Sequence, residues 1–200
     1  MKISEPDFWQ DKYELDDTPW DTGTTTPEII KSINHSINKK ICILGCGYSK
    51  DAIYLSEKGH KVFAVDFASS PIDYLYKLKK ENHINNLFPV KENIFNLSLK
   101  YNNFFDIVIE YTCFCAIPKN KRKNYIDVVS SILYKKAVCL ALFFPTKKPT
   151  RESSGPPFHV NIDTVLPMFE EKFKIINFNP NPDSIKPRIG NEVFVEMQKL

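Results

Sequence analysis

The sequence predicts an α/β protein with a mostly parallel sheet of seven strands, helices on both faces and an antiparallel hairpin at the C-terminal edge. Apolar, β-branched segments alternate with segments of helical spacing between residues 40 and about 130, the pattern of strand–helix–strand units. The last two apolar segments have a period of two and no helix between them, so they predict an antiparallel pair. A chain of 200 residues suits one domain with a single core.

Seven segments are predicted as strands because they are short and rich in β-branched or aromatic residues. In chain order they are "KICIL" (40–44), "KVFAVDF" (61–67), "LFPV" (87–90), "FFDIVIEY" (104–111), "KAVCLALFF" (136–144), "FKIINFN" (173–179) and "NEVFVEMQ" (191–198). Helices are predicted at 49–60, 69–81, 120–133 and 161–173. Ser69 or Ser70 is expected to cap the second helix, and Pro167 to bend or delay the last one.

The composition weighs against several classes of protein. A formal charge of +3 is too small and too evenly spread to indicate nucleic-acid binding, and the basic run "KNKRK" (119–123) is interpreted as a solvated helix start. The N-terminus carries no apolar signal segment, and no apolar run is long enough to cross a bilayer. We therefore expect a cytoplasmic monomer that acts on a small molecule, with neither a nucleic acid nor a membrane as partner.

The five cysteines are odd in number, and none forms a C-x-x-C pair. Three of them lie in segments predicted as strand or strand end, which fits small buried side chains better than disulfides or zinc ligands. No metal site is predicted. A nucleophilic role for Cys46, Cys113 or Cys115 is the alternative.

The turn after the first strand is the most informative stretch. Gly45 and Gly47 bracket Cys46, and Asp66 ends the next strand. In a doubly wound sheet this turn borders the ligand crevice, and an acid at the end of the second strand can accept both hydroxyl hydrogens of a ribose. The third glycine of a dinucleotide site and the G-K-[ST] of a phosphate loop are missing. S-adenosylmethionine, which has a ribose but no phosphate, fits best; dinucleotide binding and a purely structural turn stay open.

Aromatic residues in the N-terminal segment support a cationic ligand. Trp9 and Tyr13 are four residues apart and share one face if the segment is helical, and Trp20 follows. Aromatic faces attract cations such as a sulfonium. The alternative is that these three side chains only cover the core.

Together these residues resemble the thiopurine S-methyltransferase family, most closely its thiol and halide (thiocyanate) methyltransferase branch. The family's pattern of paired aromatics followed by "TPWD-G-P-P" recurs as Trp9, Tyr13 and "TPWDTGTTTP". Its "GCG-x-x-x-DA" turn recurs at 45–52, its "FDLI-DYTFFCA" as "FDIVIEYTCFCAIP", and its "MFP…GGPPY-V" as "FFP…SGPPFHV". The terminal "R-G-E" recurs as Arg188, Gly190 and Glu192, so the resemblance runs over nearly the whole chain.

The resemblance implies a Rossmann-like class I methyltransferase in which residues 1–38 form an aromatic cap and residues 39–200 form the core. It implies that S-adenosylmethionine is the methyl donor and S-adenosylhomocysteine the product. The cofactor-binding residues it implies are Trp9, Tyr13, Trp20, Gly45, Gly47, Asp66, Phe67, Asn93, Ile94 and Tyr111. Relative to the family, serine replaces glycine at Ser49, tyrosine replaces tryptophan at Tyr13, and asparagine replaces aspartate at Asn93.

The expected acceptor is a small soft nucleophile: a thiol, a thiopurine, a halide, thiocyanate or a related chalcogen. Tyr111, Phe158 and His159 are expected to line the acceptor pocket, and His159 could take a thiol proton or hold an anion. The alternative is that His159 is a solvent-exposed loop residue with no role in the reaction. An oxygen or nitrogen acceptor, and a non-catalytic nucleotide-binding module, stay open at this point. Nucleic-acid methylation is disfavoured because no N/D-P-P-Y/F motif follows the fourth strand.

Overall fold

The alternating apolar segments fold into one sheet. The computed structural model of the protein describes residues 3–148 and 155–200. The seven strands are β1 (Lys40–Leu44), β2 (Lys61–Asp66), β3 (Leu87–Lys91), β4 (Phe105–Tyr111), β5 (Leu133–Phe143), β6 (Phe173–Asn179) and β7 (Val193–Lys199). They are hydrogen-bonded in the order β3-β2-β1-β4-β5-β7-β6.

Strands β1 to β5 run parallel, and β7 runs antiparallel to both β5 and β6. This arrangement confirms the predicted mostly parallel sheet with an antiparallel edge hairpin. Strand β5 begins three residues earlier than predicted, at Leu133. A register shift opposite Phe105 and Ile107 accommodates the additional residues, and Lys136 has a positive φ of 66° there. Sequence periodicity carries no signal for such an irregularity.

The helices are α1 (Pro6–Glu14), α2 (Pro27–Ile33), α3 (Lys50–Glu57), α4 (Ser69–Glu81), α5 (Ser98–Tyr101), α6 (Arg122–Ile132) and α7 (Ile162–Glu170). Helices α1 and α2 occupy the N-terminal stretch for which the sequence predicted no element. Pro167 lies inside α7, which begins at Ile162, so the expected delay of that helix was wrong. Within the two described ranges, no helix is long and apolar enough to cross a membrane.

The predicted cap of α4 by its own serines was also wrong. Ala68 is the N-cap residue and contributes no side-chain bond. Instead, Oε1 of Gln10 in α1 accepts hydrogen bonds from the backbone N–H groups of Ser69 (2.8 Å) and Ser70 (3.1 Å). A side chain distant in sequence thus satisfies the free N–H groups of the helix and attaches α1 to the core.

Buried side chains form two apolar layers, one on each face of the sheet. One layer is rich in large aromatics, including Phe105, Phe114, Tyr125, Phe143 and Phe169. The other is mainly aliphatic and includes Ile29, Ile41, Leu55, Leu75 and Leu142. All five cysteines are free and buried, as expected for small core side chains. Because strand order reverses between β1 and β4, the carboxyl ends of these strands border the crevice where such folds bind ligands.

Candidate active site

The turn between β1 and α3 needs both of its glycines. Gly45 and Gly47 have positive φ angles of 56° and 52°. A Cβ on Gly45 would lie 2.8 Å from Sγ of Cys113, and one on Gly47 would lie 3.0 Å from the hydroxyl of Tyr13. Both positions therefore require glycine, because a side chain would be strained at these φ angles and would collide with Cys113 or Tyr13.

Asp66, at the end of β2, ties this turn to the next helix. Its carboxylate accepts hydrogen bonds from the backbone N–H groups of Gly47 and Ala68, both at 3.0 Å. Burial raises the pKa of Asp66 to about 6, against the stabilising effect of those N–H groups on the charged form. The carboxyl group is therefore mostly ionised at neutral pH and becomes protonated as the pH falls through 6.

A cavity of about 550 Å³ opens at the carboxyl ends of the parallel strands. We call the residues contributed by the ends of β1, β2 and β3 its first half: Gly45, Asp66, Phe67, Asn93 and Ile94. The second half comes from the segments after β4 and β5: Thr112, Cys113, Ala116, Ile117, Pro118, Phe144, Gly155, Pro156 and Pro157. The N-terminal segment closes the cavity with further side chains, among them Phe8, Trp9, Tyr13 and Trp20.

The three aromatics singled out in the N-terminal segment lie together on this wall. The ring of Trp20 meets that of Trp9 edge-on with centroids 5.3 Å apart, and that of Tyr13 with centroids 5.7 Å apart. Burial, with a contribution from the nearby Asp66, raises the pKa of Tyr13 far above its usual range, so its hydroxyl stays neutral. The carbonyl of Trp20 accepts a 2.7 Å hydrogen bond from the guanidinium of Arg188. The wall is thus a packed cluster fixed to the core.

Asn93 and Ile94 follow β3 and line the first half of the cavity. The Oδ1 atom of Asn93 accepts a 3.0 Å hydrogen bond from the backbone N–H of Phe95 and so caps the 3-10 turn Ile94–Asn96. An aspartate at this position would make the same cap with a charge. Here the side-chain oxygen is already partly engaged with the backbone.

Four of the singled-out residues do not line the cavity: Gly47, Tyr111, Phe158 and His159. Gly47 contributes indirectly, because its backbone N–H donates a hydrogen bond to the carboxylate of Asp66. The hydroxyl of Tyr111 donates to Glu192 at 2.9 Å, and the guanidinium of Arg188 lies 4.9 Å from its ring centroid. Arg188 and Glu192 form a buried ion pair with a 3.7 Å N–O distance, and this pair holds the partly buried Tyr111 side chain.

Phe158 and His159 pack inside the loop that covers the second half of the cavity. A Cβ on Gly155 would lie 2.3 Å from the Phe158 ring, so that ring packs directly against the glycine. The Nε2 atom of His159 lies 3.0 Å from the carbonyl oxygen of Thr146 and bonds to it. The serine that opens "SGPPFHV", Ser154, lies outside the described residues.

A buried acid, Glu110, supports the turn after β4 and was not singled out from the sequence. Its carboxylate accepts a 2.8 Å hydrogen bond from the N–H of Phe114 and another from the Tyr125 hydroxyl. Burial raises the pKa of Glu110 to about 7. An acid directly after the apolar run 107–109 was the available signal, because buried acids are rarely found without partners.

The chemistry of the lining fits an adenosyl sulfonium better than a phosphate ligand. Lys50, at the start of α3, donates to the hydroxyl of Tyr74 at 2.8 Å and does not line the cavity. Lys12, which does line it, is paired with Asp17. The other lining lysine, Lys121, belongs to the segment after β4 and not to the glycine turn. What faces the first half is a buried carboxylate among aromatic and apolar groups, suited to hydroxyl donors and to a cation. Across 3–148 and 155–200, no group of three His, Cys, Asp or Glu side chains is arranged to hold a metal ion.

Comparisons with known proteins agree with this geometry. A family model described as Thiopurine S-methyltransferase matches residues 4–198. Thiocyanate methyltransferase 1 of Arabidopsis thaliana is 27% identical over 213 residues, covering 100% of this chain and 87% of that protein. A thiopurine S-methyltransferase of Shewanella woodyi is 24% identical over 192 residues, covering 86% of this chain and 84% of that protein.

Among solved structures, the fold is similar to that of 1,6-didemethyltoxoflavin-N1-methyltransferase of Burkholderia thailandensis, solved with 1,6-didemethyltoxoflavin and S-adenosylhomocysteine bound. The TM-score is 0.78 at 16% identity, covering 98% of this chain and 87% of that one. At this level of identity the similarity concerns the fold, and it confirms the predicted Rossmann-like class I methyltransferase architecture.

Proposed function

The chain belongs to the thiopurine S-methyltransferase family, and we propose that it transfers the methyl group of S-adenosylmethionine to a small soft nucleophile: a thiol, a thiopurine, a halide, thiocyanate or a related chalcogen. The main observation in support is the buried carboxylate of Asp66, which faces the cavity beside a glycine turn that has no phosphate-binding motif. The names of the relatives in Arabidopsis and Shewanella support the acceptor class.

For the cofactor, we assign the first half of the cavity and the N-terminal aromatic wall. Asp66, ionised above pH 6, would accept the ribose hydroxyls while the Gly47 N–H holds it in place. Gly45 would lie beside the methionine portion, and Ile94 against the adenine. Asn93 keeps one lone pair and its NH₂ group for the adenine, because Phe95 already occupies the other lone pair. Residues 1–38 would serve as the cap over this half.

Bound S-adenosylmethionine supplies an electrophilic methyl group on a sulfonium. The chain's own residues need only align the acceptor and exclude water, and orientation of this kind can lower a barrier by roughly 7–11 kcal/mol. A free thiol, with a pKa near 8.5, is about a few per cent thiolate at neutral pH without assistance. Halides and thiocyanate need no base, so we propose a reaction without an obligatory general base.

The second half of the cavity would receive the acceptor. Its lining is largely apolar, with Ile117, Pro118 and Phe144 on one side and Pro156 and Pro157 on the loop that covers it. Direct roles of Tyr111, Phe158 and His159 stay predictions and are not needed for the proposed reaction, since each would require its side chain to leave the partner described above.

Two measurements test the proposal. Thermal shift with S-adenosylhomocysteine should raise the melting temperature, and the same concentration of NAD should not. Incubation with labelled S-adenosylmethionine and a panel of iodide, thiocyanate, hydrogen sulfide, thiophenol and a thiopurine should yield at least one methylated product. Binding of the cofactor without transfer to any of these acceptors would contradict the acceptor class, and transfer to an oxygen or nitrogen acceptor instead would replace it.

A further inference from the structure

Two positive and two negative side chains line the described part of the cavity wall, and only one lysine and one aspartate among them form an ion pair. Among the described lining residues, the charged side chains are Lys12, Asp17, Asp66 and Lys121. Lys12 and Asp17 neutralise each other in an ion pair. Asp66 accepts hydrogen bonds from two backbone N–H groups and is assigned to the cofactor ribose. Within 3–148 and 155–200, Lys121 has no acidic partner, so it is the cation left over on the wall.

The basic run at the start of α6 contains three exposed lysines, one of which borders the cavity. Lys121 lines the cavity, and its Nζ atom lies 5.7 Å from the ring centroid of Phe95, which also lines it. Lys119 and Lys123 do not line the cavity, and Lys123 pairs instead with Glu171 at 3.2 Å. The interpretation of the run as a solvated helix start therefore holds for its three lysines, which are all exposed, but is wrong for Arg122, which is buried.

The backbone holds Lys121 at this place. Its N–H donates a 2.8 Å hydrogen bond to the carbonyl of Pro118, closing the turn Lys119–Lys121. The next residue, Arg122, is buried, with its guanidinium 4.5 Å from the ring centroid of Phe114. The Lys121 side chain is exposed, so an anion beside it would form a partly solvated charge pair with a modest effect on affinity.

The segment before Gly155 lies outside the described residues. Residues 149–154 contain one arginine and one glutamate, Arg151 and Glu152, so they add no net charge. A cation beside an otherwise apolar surface made by Phe95, Ile117 and Pro118 suits a ligand with an apolar body and a negative end.

We propose that Lys121 is a specificity-determining residue that favours acceptors carrying a carboxylate or similar anionic group at the end remote from the reacting sulfur. The assignment rests on the proposed function and names the class of acceptor within it: an anionic thiol with an apolar body.

The test compares two acceptors that differ mainly in that group, 4-mercaptobenzoate and 4-methylbenzenethiol. The ratio of their kcat/KM values is measured for the wild type, K121A, K121E, K121R and the control K123A, so the intrinsic reactivity of each thiol cancels between variants. We expect the preference for the carboxylate to fall about three- to ten-fold in K121A, as for a partly exposed charge pair. It should fall further in K121E, persist in K121R and be unchanged in K123A.

Calorimetry in the presence of S-adenosylhomocysteine separates this proposal from the proposed reaction. Binding of 4-mercaptobenzoate that weakens in K121A but not in K123A, without any turnover, would keep the role of Lys121 and reject the reaction. Equal effects of K121A and K123A in both measurements would overturn the role of Lys121, as would failure of the wild type to bind 4-mercaptobenzoate.

Discussion

The two halves of the cavity differ in where their buried polar groups lie. In the first half, a buried carboxylate, Asp66, faces the cavity, and the chain's own N–H groups hold it there. In the second half, the buried polar groups Glu110, Arg188 and Glu192 do not line the cavity, and apolar side chains form most of its surface. One half therefore presents hydrogen-bonding groups to a ligand, whereas the other uses such groups to fix loops that present an apolar surface.

The sharpest test of this contrast is the replacement of Asp66. We expect Asp66→Ala to weaken S-adenosylhomocysteine binding ten-fold or more, because it removes a buried acceptor and leaves the N–H groups of Gly47 and Ala68 without a partner. Titration calorimetry measures the effect. Asp66→Asn, which keeps one acceptor oxygen, should lose less, and wild-type affinity in the alanine variant would contradict the assignment.

The pH dependence of S-adenosylhomocysteine binding by the wild type also tests the Asp66 carboxylate. The pKa of Asp66 is raised to about 6 by burial, so S-adenosylhomocysteine affinity should decline as the pH falls through 6. Asp66→Asn should abolish this dependence. A wild-type affinity that stays flat between pH 5 and 8 would mean that the ionised carboxylate does not bind the ligand.

The corresponding change in the second half is Glu110→Ala. It removes the acceptor for the Phe114 N–H and for the Tyr125 hydroxyl, so the turn after β4 should loosen. Leaving buried donors unpaired costs about 1–3 kcal/mol. We expect kcat/KM for the acceptor to fall about ten-fold while cofactor affinity changes less than two-fold. Glu110→Gln, which preserves the shape of the side chain, is the control. If Glu110→Ala reduced cofactor affinity as much as it reduced kcat/KM, the two halves would not have separate functions.

Glu110 should also leave a signature in stability. Its pKa in the folded protein, about 7, lies above the ordinary value of 4.5, so the folded state binds the extra proton between these pH values. The free energy of unfolding contributed by this group should therefore fall as the pH rises from 4.5 to 7 and stay constant above. Denaturant unfolding of wild type and Glu110→Gln should diverge over this range by up to about 3 kcal/mol.

The same contrast explains what could be predicted from the sequence. Gly45, Gly47 and Asp66 follow directly from strand ends, and strand ends are well marked by apolar runs, so the sequence could place Gly45 and Asp66 at the edge of the sheet where the cavity opens. Their roles in binding stay predictions. Tyr111 was placed at the right strand end, yet its hydroxyl turns to Glu192, 81 residues away in the chain. The direction of a side chain after a strand depends on such long-range partners, and a local pattern contains no information about them.

The cap of α4 by Gln10 is another contact of this kind. Removing it with Gln10→Ala should expose the first N–H groups of α4 and loosen α1, at a cost of about 1 kcal/mol in unfolding free energy. Because α1 carries Trp9 and Tyr13, S-adenosylhomocysteine affinity should fall about three-fold. Glu14→Ala, which removes only the exposed bond from Gln10 to Glu14, is the matched control and should bind normally.

The smallest effect is expected at His159. Its Nε2 atom bonds to the Thr146 carbonyl, and its ring does not line the cavity. We therefore expect His159→Ala to change kcat/KM less than two-fold and equally for all acceptors, with any loss appearing in thermal stability. A selective loss with thiols but not with iodide or thiocyanate would instead show that the ring takes a thiol proton. The second half of the cavity would then contribute a polar group to the chemistry, and the contrast between the two halves would have to be redrawn.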